Sequence, residues 1–208
     1  MTSTEPATAP ERRTQRERVA ETSERLLHAA IELIAEQGFE RTTALQIGER
    51  AGMSKDMVRV RYGSKEALLE ALLESNFTAR VLPDPGAAPG LDTIVSWAEG
   101  LSAQLGTDEH VIRAFFTLFF EATGPVPALR PWADRWLARS EKIAADALRH
   151  EQRAGSVPAD VDPDTEAAHF VAAGVGLAMR WLVTGDTERY RAANTEIHTR
   201  FGELRNRH

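Results

Sequence analysis

The sequence contains no cysteine, which excludes a disulfide framework and thiolate chemistry. It also has no long apolar run. The longest, residues 170–179, is far shorter than the ~20 residues that a membrane-spanning helix requires. The N-terminus lacks the apolar segment of a secretion signal. Together these absences predict a soluble, cytoplasmic protein with no membrane partner.

Catalytic and metal-binding patterns are missing as well. Gly174 and Gly176 lack the third glycine and the preceding strand of a dinucleotide-binding motif. The six histidines have no compact metal-ligand spacing, and His150-Glu151 has no second histidine at the metalloprotease spacing. We therefore expect no enzymatic activity, no metal and no cofactor.

The chain is acidic overall but contains a basic segment. Of its 208 residues, 42% are hydrophobic and 27% are charged, an ordinary globular composition, and the net charge is −6. Residues 50–65 hold five lysines and arginines against Asp56 alone, a local charge of +4. Such a segment is compatible with DNA binding, because the field that matters is local to the binding face.

A short helix is predicted at the start of this region. Thr43 and Gln46 have the spacing of a capping box, in which each residue satisfies a free backbone group of the other. Gly52 is expected to end the helix that they begin. The apolar face of this helix comprises Ala44, Ile47 and Ala51.

A second short helix is predicted after Ser54, its N-cap, with Val58 and Tyr62 on one face. Two short helices joined by a tight turn with glycine are typical of a helix-turn-helix motif, whose second helix lies in the DNA major groove. Lys55 and Lys65 each follow a predicted N-cap, where a cation opposes the helix dipole but assists phosphate binding. A solvated charge cluster is the alternative. The predicted DNA contacts are Thr43, Gln46, Ser54, Lys55, Asp56, Met57, Arg59, Val60, Arg61, Tyr62 and Lys65.

Residues 22–73 resemble the DNA-binding domain of the tetracycline-repressor (TetR) family. The matching positions are Ala29-Ala30, Gly38-Phe39, Thr43, Ile47, Ala51-Gly52 and Gly63-Ser64-Lys65. The resemblance implies a homodimeric transcriptional regulator that binds a palindromic operator in double-stranded DNA, together with a larger domain that binds small molecules and dimerises.

Five residues depart from the family pattern. The usual residues are alanine at Gly48, threonine at Met57, tyrosine at Arg59, histidine at Arg61 and phenylalanine at Tyr62. The tyrosine that Arg59 replaces typically contacts DNA. An arginine in its place can hold a phosphate or pair bidentately with guanine, and we favour the phosphate.

Residues 1–21 are predicted to form a flexible basic arm. Residues 1–10 are small and polar, with nothing large to bury. The arginines that follow can extend along DNA, and a solvated tail is an equal alternative. These arginines are Arg12, Arg13, Arg16 and Arg18.

The rest of the chain is expected to be helical throughout, because no stretch alternates with period two for long enough to form a strand. The predicted helices are 22–37, 65 into the 70s, 91–105, 108–122, 127–153, 164–184 and 187–204. This pattern predicts an all-α fold, with a three-helix helix-turn-helix domain at 22–80 and a helical ligand-binding and dimerisation bundle at 81–208.

Two sites in the bundle are hypotheses. Segment 108–122 is rich in aromatic residues on more than one face, which suits a central helix, and an apolar pocket needs such walls. The small-residue surface of segment 164–184 suggests close helix packing at a dimer contact. The predicted pocket residues are Trp97, Phe115, Phe116, Phe119, Trp136 and Met179. The predicted dimer residues are Val171, Val175, Ala178, Leu182, Ile197 and Phe201.

The function that follows is a ligand-responsive DNA-binding regulator, a repressor released from its operator by a small molecule of unknown identity. The repressor assignment is implied by the family resemblance. The alternative is a helical DNA-binding or adaptor protein whose C-terminal bundle only dimerises or binds a protein partner. A ligand that raises the stability of the folded state would distinguish the two.

Overall fold

The computed structural model describes residues 14–77, 90–124 and 126–206, and within those ranges all regular structure is helical. A π-helical turn, Leu73–Phe77, extends α4. A 3₁₀ turn, Pro127–Leu129, precedes α7, and another, Glu203–Asn206, follows α9. The all-α prediction is confirmed. The helices are α1 Gln15–Gln37, α2 Ala44–Arg50, α3 Met57–Tyr62, α4 Lys65–Leu72, α5 Leu91–Thr107, α6 Glu109–Glu121, α7 Arg130–Arg153, α8 Pro163–Thr184 and α9 Thr187–Gly202.

Helix α1 begins seven residues before the predicted Thr22, because Thr14 forms a capping box with Glu17. The Thr14 hydroxyl accepts from the Glu17 N–H at 3.3 Å, and the Glu17 carboxylate accepts from the Thr14 N–H at 2.7 Å. Residues 15–21 are therefore helical, which corrects the prediction of a flexible arm there. Residues 1–13, with Arg12 and Arg13, lie outside the described residues.

The helix-turn-helix begins as the sequence predicts and differs at the second helix. Thr43 and Gln46 form the expected capping box. The Met57 N–H donates to the Ser54 carbonyl at 3.0 Å, so a tight turn precedes α3 and the helix starts at Met57, after Asp56. The prediction of Ser54 as the N-cap of this helix is therefore wrong.

Gly48 of α2 lies against this turn, which accounts for glycine at a position where alanine is usual in the family. A Cβ atom there would be 2.7 Å from the Ser54 carbonyl oxygen and 3.2 Å from the Lys55 Cα atom. Both are backbone atoms, so the helix and the turn would have to separate.

We expect Gly48→Ala to lower the free energy of unfolding by about 1–3 kcal/mol, the usual cost of overpacking. Urea denaturation measures this change. The control is Gly100→Ala, at an exposed position in α5 with nothing within 4 Å of the new Cβ atom. The control should keep or gain stability, because alanine has the higher helix propensity. A Gly48→Ala protein as stable as the wild type would contradict the close approach.

Helix α6 is the centre of the molecule. It packs against α1 of the N-terminal part and against α5 and α8 of the bundle. Seven of its residues are buried, consistent with the predicted central helix: Val111, Ile112, Ala114, Phe115, Phe116, Leu118 and Phe119.

Phe115 lies at the middle of an aromatic cluster that joins three elements. Its ring centroid is 5.5 Å from that of Phe77 in the π turn, 5.3 Å from Trp132 and 5.2 Å from Trp136 in α7. On α6 itself, Phe116 and Phe119 complete the cluster. The N-terminal helices and the bundle are therefore held together by one continuous core.

Helix α8 packs between α7 and α9, and its outer face remains exposed. By length and composition alone α8 is apolar enough to cross a membrane, which the longest apolar run did not predict. Core helices of globular proteins also meet this criterion of length and composition. The exposed face consists largely of small or apolar residues: Ala172, Ala173, Gly176, Met179 and Val183.

Candidate nucleic-acid interface

Helix α3 is fixed to the core on one side and presents the other side to solvent. Val58 is fully buried, and Tyr62 is partly buried against the core. On the opposite side Val60 is 74% exposed and the Arg59 side chain is 76% exposed. An exposed valine beside an arginine suits a base-reading surface, because apolar side chains contact the thymine methyl group.

The basic residues near α3 differ in how firmly they are held. Among the described residues Arg59 has one ion pair, with Asp56 at 3.9 Å, and both partners are exposed, so the pair contributes little. Arg61 donates from Nε to the Ser23 hydroxyl of α1 at 2.7 Å, and its guanidinium lies over the Tyr62 ring. Arg59 is therefore free to reach DNA, whereas Arg61 also ties α3 to α1.

Arg50 does not add to this positive surface. Its guanidinium donates two bonds of 2.8 Å to Glu36 and one of 3.2 Å to Glu32, both on α1. The guanidinium lowers the pKa of the Glu36 carboxyl below its usual value. The local charge of +4 predicted for residues 50–65 is thus partly neutralised by α1.

Lys65 lies in a different environment from the one predicted. Its ammonium donates to the Phe39 carbonyl at 3.0 Å and to the Thr42 carbonyl at 2.8 Å, and it lies 4.1 Å from the centroid of the Phe39 ring. Two of its three donors thus anchor α4 to the loop after α1. Ser64 caps α4 as expected, accepting from the Ala67 N–H.

The remaining predicted DNA contacts lie on the same end of the molecule. Ser54, Lys55 and Asp56 are exposed in the turn before α3, and Met57 is half-buried at its first residue. The Thr43 and Gln46 side chains are occupied by their capping box, and Gln46 also accepts from Gln37 at 3.3 Å. These two residues therefore position α2.

Arg59→Lys distinguishes the two roles open to Arg59. If Arg59 holds a phosphate, as we expect, the substitution should leave operator selectivity nearly unchanged, because a lysine also binds phosphate. If it pairs with guanine, the loss of bidentate geometry should cost about 1–3 kcal/mol of discrimination at one base pair. Affinities for a set of single-base operator variants measure this. A change of selectivity confined to one G·C pair would overturn the phosphate assignment.

A carboxylate of the bundle contacts the DNA-binding end directly, which sequence reasoning missed. The Glu121 carboxylate, at the end of α6, accepts from the Phe39 N–H at 3.0 Å. Burial raises the pKa of the Glu121 carboxyl, and the N–H groups of Phe39 and Glu40 partly offset this. Gly38 adopts φ +83°, and a Cβ atom there would lie 2.3 Å from a Glu121 oxygen. A side chain at this position would have to displace the Glu121 carboxylate, and the positive φ itself favours glycine.

A small internal cavity of about 50 Å³ lies among α5, α6, α7, α8 and α9. Of the predicted pocket residues, Trp97, Phe116 and Trp136 line it. Phe115 and Phe119 belong to the aromatic cluster. Met179 is 54% exposed on the outer face of α8, so its assignment to the pocket is wrong. Lining residues that the prediction missed include Ser140, Phe170, Gly174, Tyr190, Asn194 and His198.

A larger groove of about 760 Å³ lies between α1 and the start of α6, but it is a poorer candidate for a ligand. It is open to solvent and lined by charged side chains such as Glu24, Arg25 and Glu32. Ligand sites bury most of the ligand surface against apolar walls. The smaller cavity fits that description better, because its lining is mainly apolar and aromatic.

The predicted dimer residues do not form an outer face. Ala178 is fully buried, and Val171 and Phe201 are each 5% exposed within this chain. Val175 and Ile197 are half-buried and line the cavity, and Leu182 is half-buried against the core. Ala178, Val171 and Phe201 are therefore covered by this chain itself, whereas a dimer contact of the half-buried Val175, Leu182 and Ile197 stays a prediction. The face that α8 leaves open to solvent is the adjacent one.

Comparison with known proteins agrees with this architecture. Residues 26–72 match the family model described as "Bacterial regulatory proteins, tetR family". The chain is 26% identical over 182 residues to the HTH-type transcriptional regulator TtgR of Pseudomonas putida, and the match covers 84% of this chain and 87% of that protein.

Solved structures share the fold over most of the chain. A TetR transcriptional regulator from Chloroflexus aurantiacus is similar with a TM-score of 0.74 and 19% identity, over 89% of this chain and 96% of that one. SmeT, the repressor of the Stenotrophomonas maltophilia multidrug efflux pump SmeDEF, has been solved in complex with triclosan. That complex is similar with a TM-score of 0.69 and 20% identity, over 86% of this chain and 90% of that one.

Proposed function

We propose that this chain, a transcriptional regulator of the TetR family, is a homodimeric repressor that leaves a palindromic operator when a small molecule enters its internal cavity. The observation that carries the DNA-binding part is the exposed side of α3, with Arg59 and Val60, held in place by the buried Val58. We place the DNA-binding domain at 15–80 and the effector and dimerisation domain at 81–208. The activity requires no catalytic step or cofactor and takes place in the cytoplasm.

The outer face of α8 supports a symmetric dimer. Ala172, Ala173 and Gly176 allow close approach of a second helix, and Met179 and Val183 add apolar surface that is otherwise open to water. A twofold axis pairs this face with itself. Such a dimer presents two copies of α3 to one side of DNA.

The route from cavity to DNA runs along α6. Phe116 lines the cavity, and Glu121, five residues further along the same helix, contacts the loop after α1. Helix α1 in turn holds Arg61 of α3 through Ser23. A ligand that displaces α6 therefore acts on α3 through hydrogen bonds, and the triclosan complex of SmeT supports ligand binding in a protein of this fold.

The small volume of the cavity favours a second candidate function. Ligand pockets usually enclose about 300–1,000 Å³, so the cavity has to widen before it admits a molecule of drug size. A bundle that only dimerises or binds a protein partner needs no such cavity. Four buried polar atoms in the residues that line the cavity make no hydrogen bond within the described part of the chain, which argues for the ligand.

Footprinting tests the dimer and the operator together. We expect the protein to protect two half-sites related by a dyad, with centres roughly 34 Å apart or a multiple of that distance. Because the operator is unknown, the DNA should be a fragment enriched by this protein from a random pool. A single, short, asymmetric protected site at saturating protein would contradict the dimer.

A further inference from the structure

The cavity contains polar atoms that lack partners. The indole Nε1 atoms of Trp97 and Trp136, the Ser140 hydroxyl and the His198 Nδ1 atom are all buried. None of them has a hydrogen-bond partner within 14–77, 90–124 and 126–206. All four residues line this one cavity. Leaving a buried polar group unsatisfied costs stability, and such groups are rare and usually functional.

The chemistry of these four atoms determines which ligand groups they can bind. An indole N–H only donates, so Trp97 and Trp136 require acceptor atoms. A hydroxyl and a neutral imidazole can donate or accept, so Ser140 and His198 tolerate either. The ligand must therefore offer acceptor lone pairs to these two N–H groups, such as those of a carbonyl or ether oxygen.

The same cavity excludes charge. Among the described residues that line it, none is Asp, Glu, Lys or Arg. Burial lowers the pKa of His198 to about 4, so its ring is neutral at pH 7. Burial also raises the pKa of Tyr190 to about 12, which keeps its phenol neutral. An ionised ligand would lose its hydration and gain no counter-ion.

The walls of the cavity favour a ligand that is flat and largely apolar. Phe170 lies edge-on to His198, with centroids 5.0 Å apart, and stacks on Phe201. Phe116 and the two indoles add further aromatic surface. Gly174 also lines the cavity, and a Cβ atom there would have nothing within 4 Å. The wall formed by α8 is therefore the place where the cavity has room to widen.

We propose that the effector is a neutral, largely apolar ring compound bearing carbonyl or ether oxygens, oriented by the indole N–H groups of Trp97 and Trp136. This inference rests on the proposed function, since it identifies the chemical class of the ligand for the same site. It excludes cationic and anionic compounds as effectors.

The test uses four probes of nearly equal size and the full chain without DNA. They are 1-tetralone, a neutral ketone; tetralin, the matching hydrocarbon; 1-aminotetralin, a cation at pH 7; and 1-naphthoate, an anion. Titration calorimetry should give an affinity for 1-tetralone about 3- to 10-fold higher than for tetralin, the value of one hydrogen bond. Both ions should bind at least about 30-fold more weakly than the ketone. Equal binding of ketone and hydrocarbon, preference for an ion, or binding of none of the four would overturn the proposal.

Conservative variants identify the donors. Trp97→Phe combined with Trp136→Phe removes both N–H groups and keeps aromatic walls, so the preference for 1-tetralone over tetralin should disappear while tetralin still binds. Trp132→Phe makes the same chemical change at a tryptophan that contacts Phe115 but does not line the cavity, and it should keep the preference. Circular dichroism confirms folding, and either single variant serves if the double variant unfolds. A preference that survives the loss of both donors would also overturn the proposal.

These measurements are independent of the operator. A protein that gives a palindromic footprint and is released from it by an ionised compound would retain the proposed function and contradict the ligand class. A protein that binds 1-tetralone as expected but protects no palindrome would retain the ligand class and contradict the proposed function.

Discussion

Replacing Phe115 with alanine is expected to lower the free energy of unfolding by about 3–5 kcal/mol, the usual cost for a fully buried phenylalanine. The ring is completely inaccessible to solvent and contacts the rings of Phe77, Trp132 and Trp136. To fill the space left by the missing ring, three elements would have to move at once. Since domains are stable by only about 5–15 kcal/mol, the variant should be close to unfolding at 37 °C.

Urea denaturation followed by circular dichroism measures this effect. Phe120→Ala is the matched control, because Phe120 lies on the same helix but is only half-buried. Within the described part of the chain its ring contacts that of Phe119 alone, at 5.7 Å. The control should lose clearly less stability. If the free energy of unfolding fell by the same amount in both variants, the aromatic cluster would not be centred on Phe115.

Lys65→Ala is expected to lower the free energy of unfolding by about 2–4 kcal/mol. The ammonium makes two charge-assisted hydrogen bonds to the carbonyls of Phe39 and Thr42, each of a kind that contributes about 1.5–3 kcal/mol. The substitution also leaves the Thr42 carbonyl without this donor and removes a cation from the face of the Phe39 ring. The start of α4 would lose its anchor to the loop after α1.

Lys55→Ala provides the contrast for DNA binding. Lys55 is exposed in the turn before α3, so the substitution should change stability by less than about 0.5 kcal/mol. It should weaken binding to operator and random DNA alike and lower the salt slope by about one, as loss of a phosphate contact does. If Lys65→Ala gave that result with full stability, its ammonium would hold a phosphate, as the sequence alone predicted.

Sequence reasoning succeeded where a local pattern determines the structure. Helix positions, the capping box of α2 and the central position of α6 all follow from spacing and side-chain chemistry. The start of α1 carried a readable signal as well, since Thr14 and Glu17 have capping-box spacing. That signal was missed because the surrounding arginines suggested a solvated arm.

The errors arose where a side chain bonds to a residue far away in the sequence, or to a backbone group that any residue can supply. Lys65 bonds to backbone carbonyls, and any residue can supply a carbonyl. Glu121 bonds to an N–H more than eighty positions away. Helix α8 has alanine or glycine on several faces, so its hydrophobic pattern does not distinguish Ala178, which is buried, from Ala172, which is exposed.

In the proposed mechanism, helix α1 transmits a movement of the loop that Glu121 contacts to α3. Its Ser23 holds α3, and its last residue, Gln37, adjoins the loop that Glu121 contacts, so about 21 Å of helix separate these points. Tilting a rod of that length by about 5° about one end moves the other by about 2 Å. That displacement exceeds the range over which a hydrogen bond to DNA survives. In the proposed function, a ligand that widens the narrow cavity only slightly would therefore remove α3 from DNA while every helix stays folded.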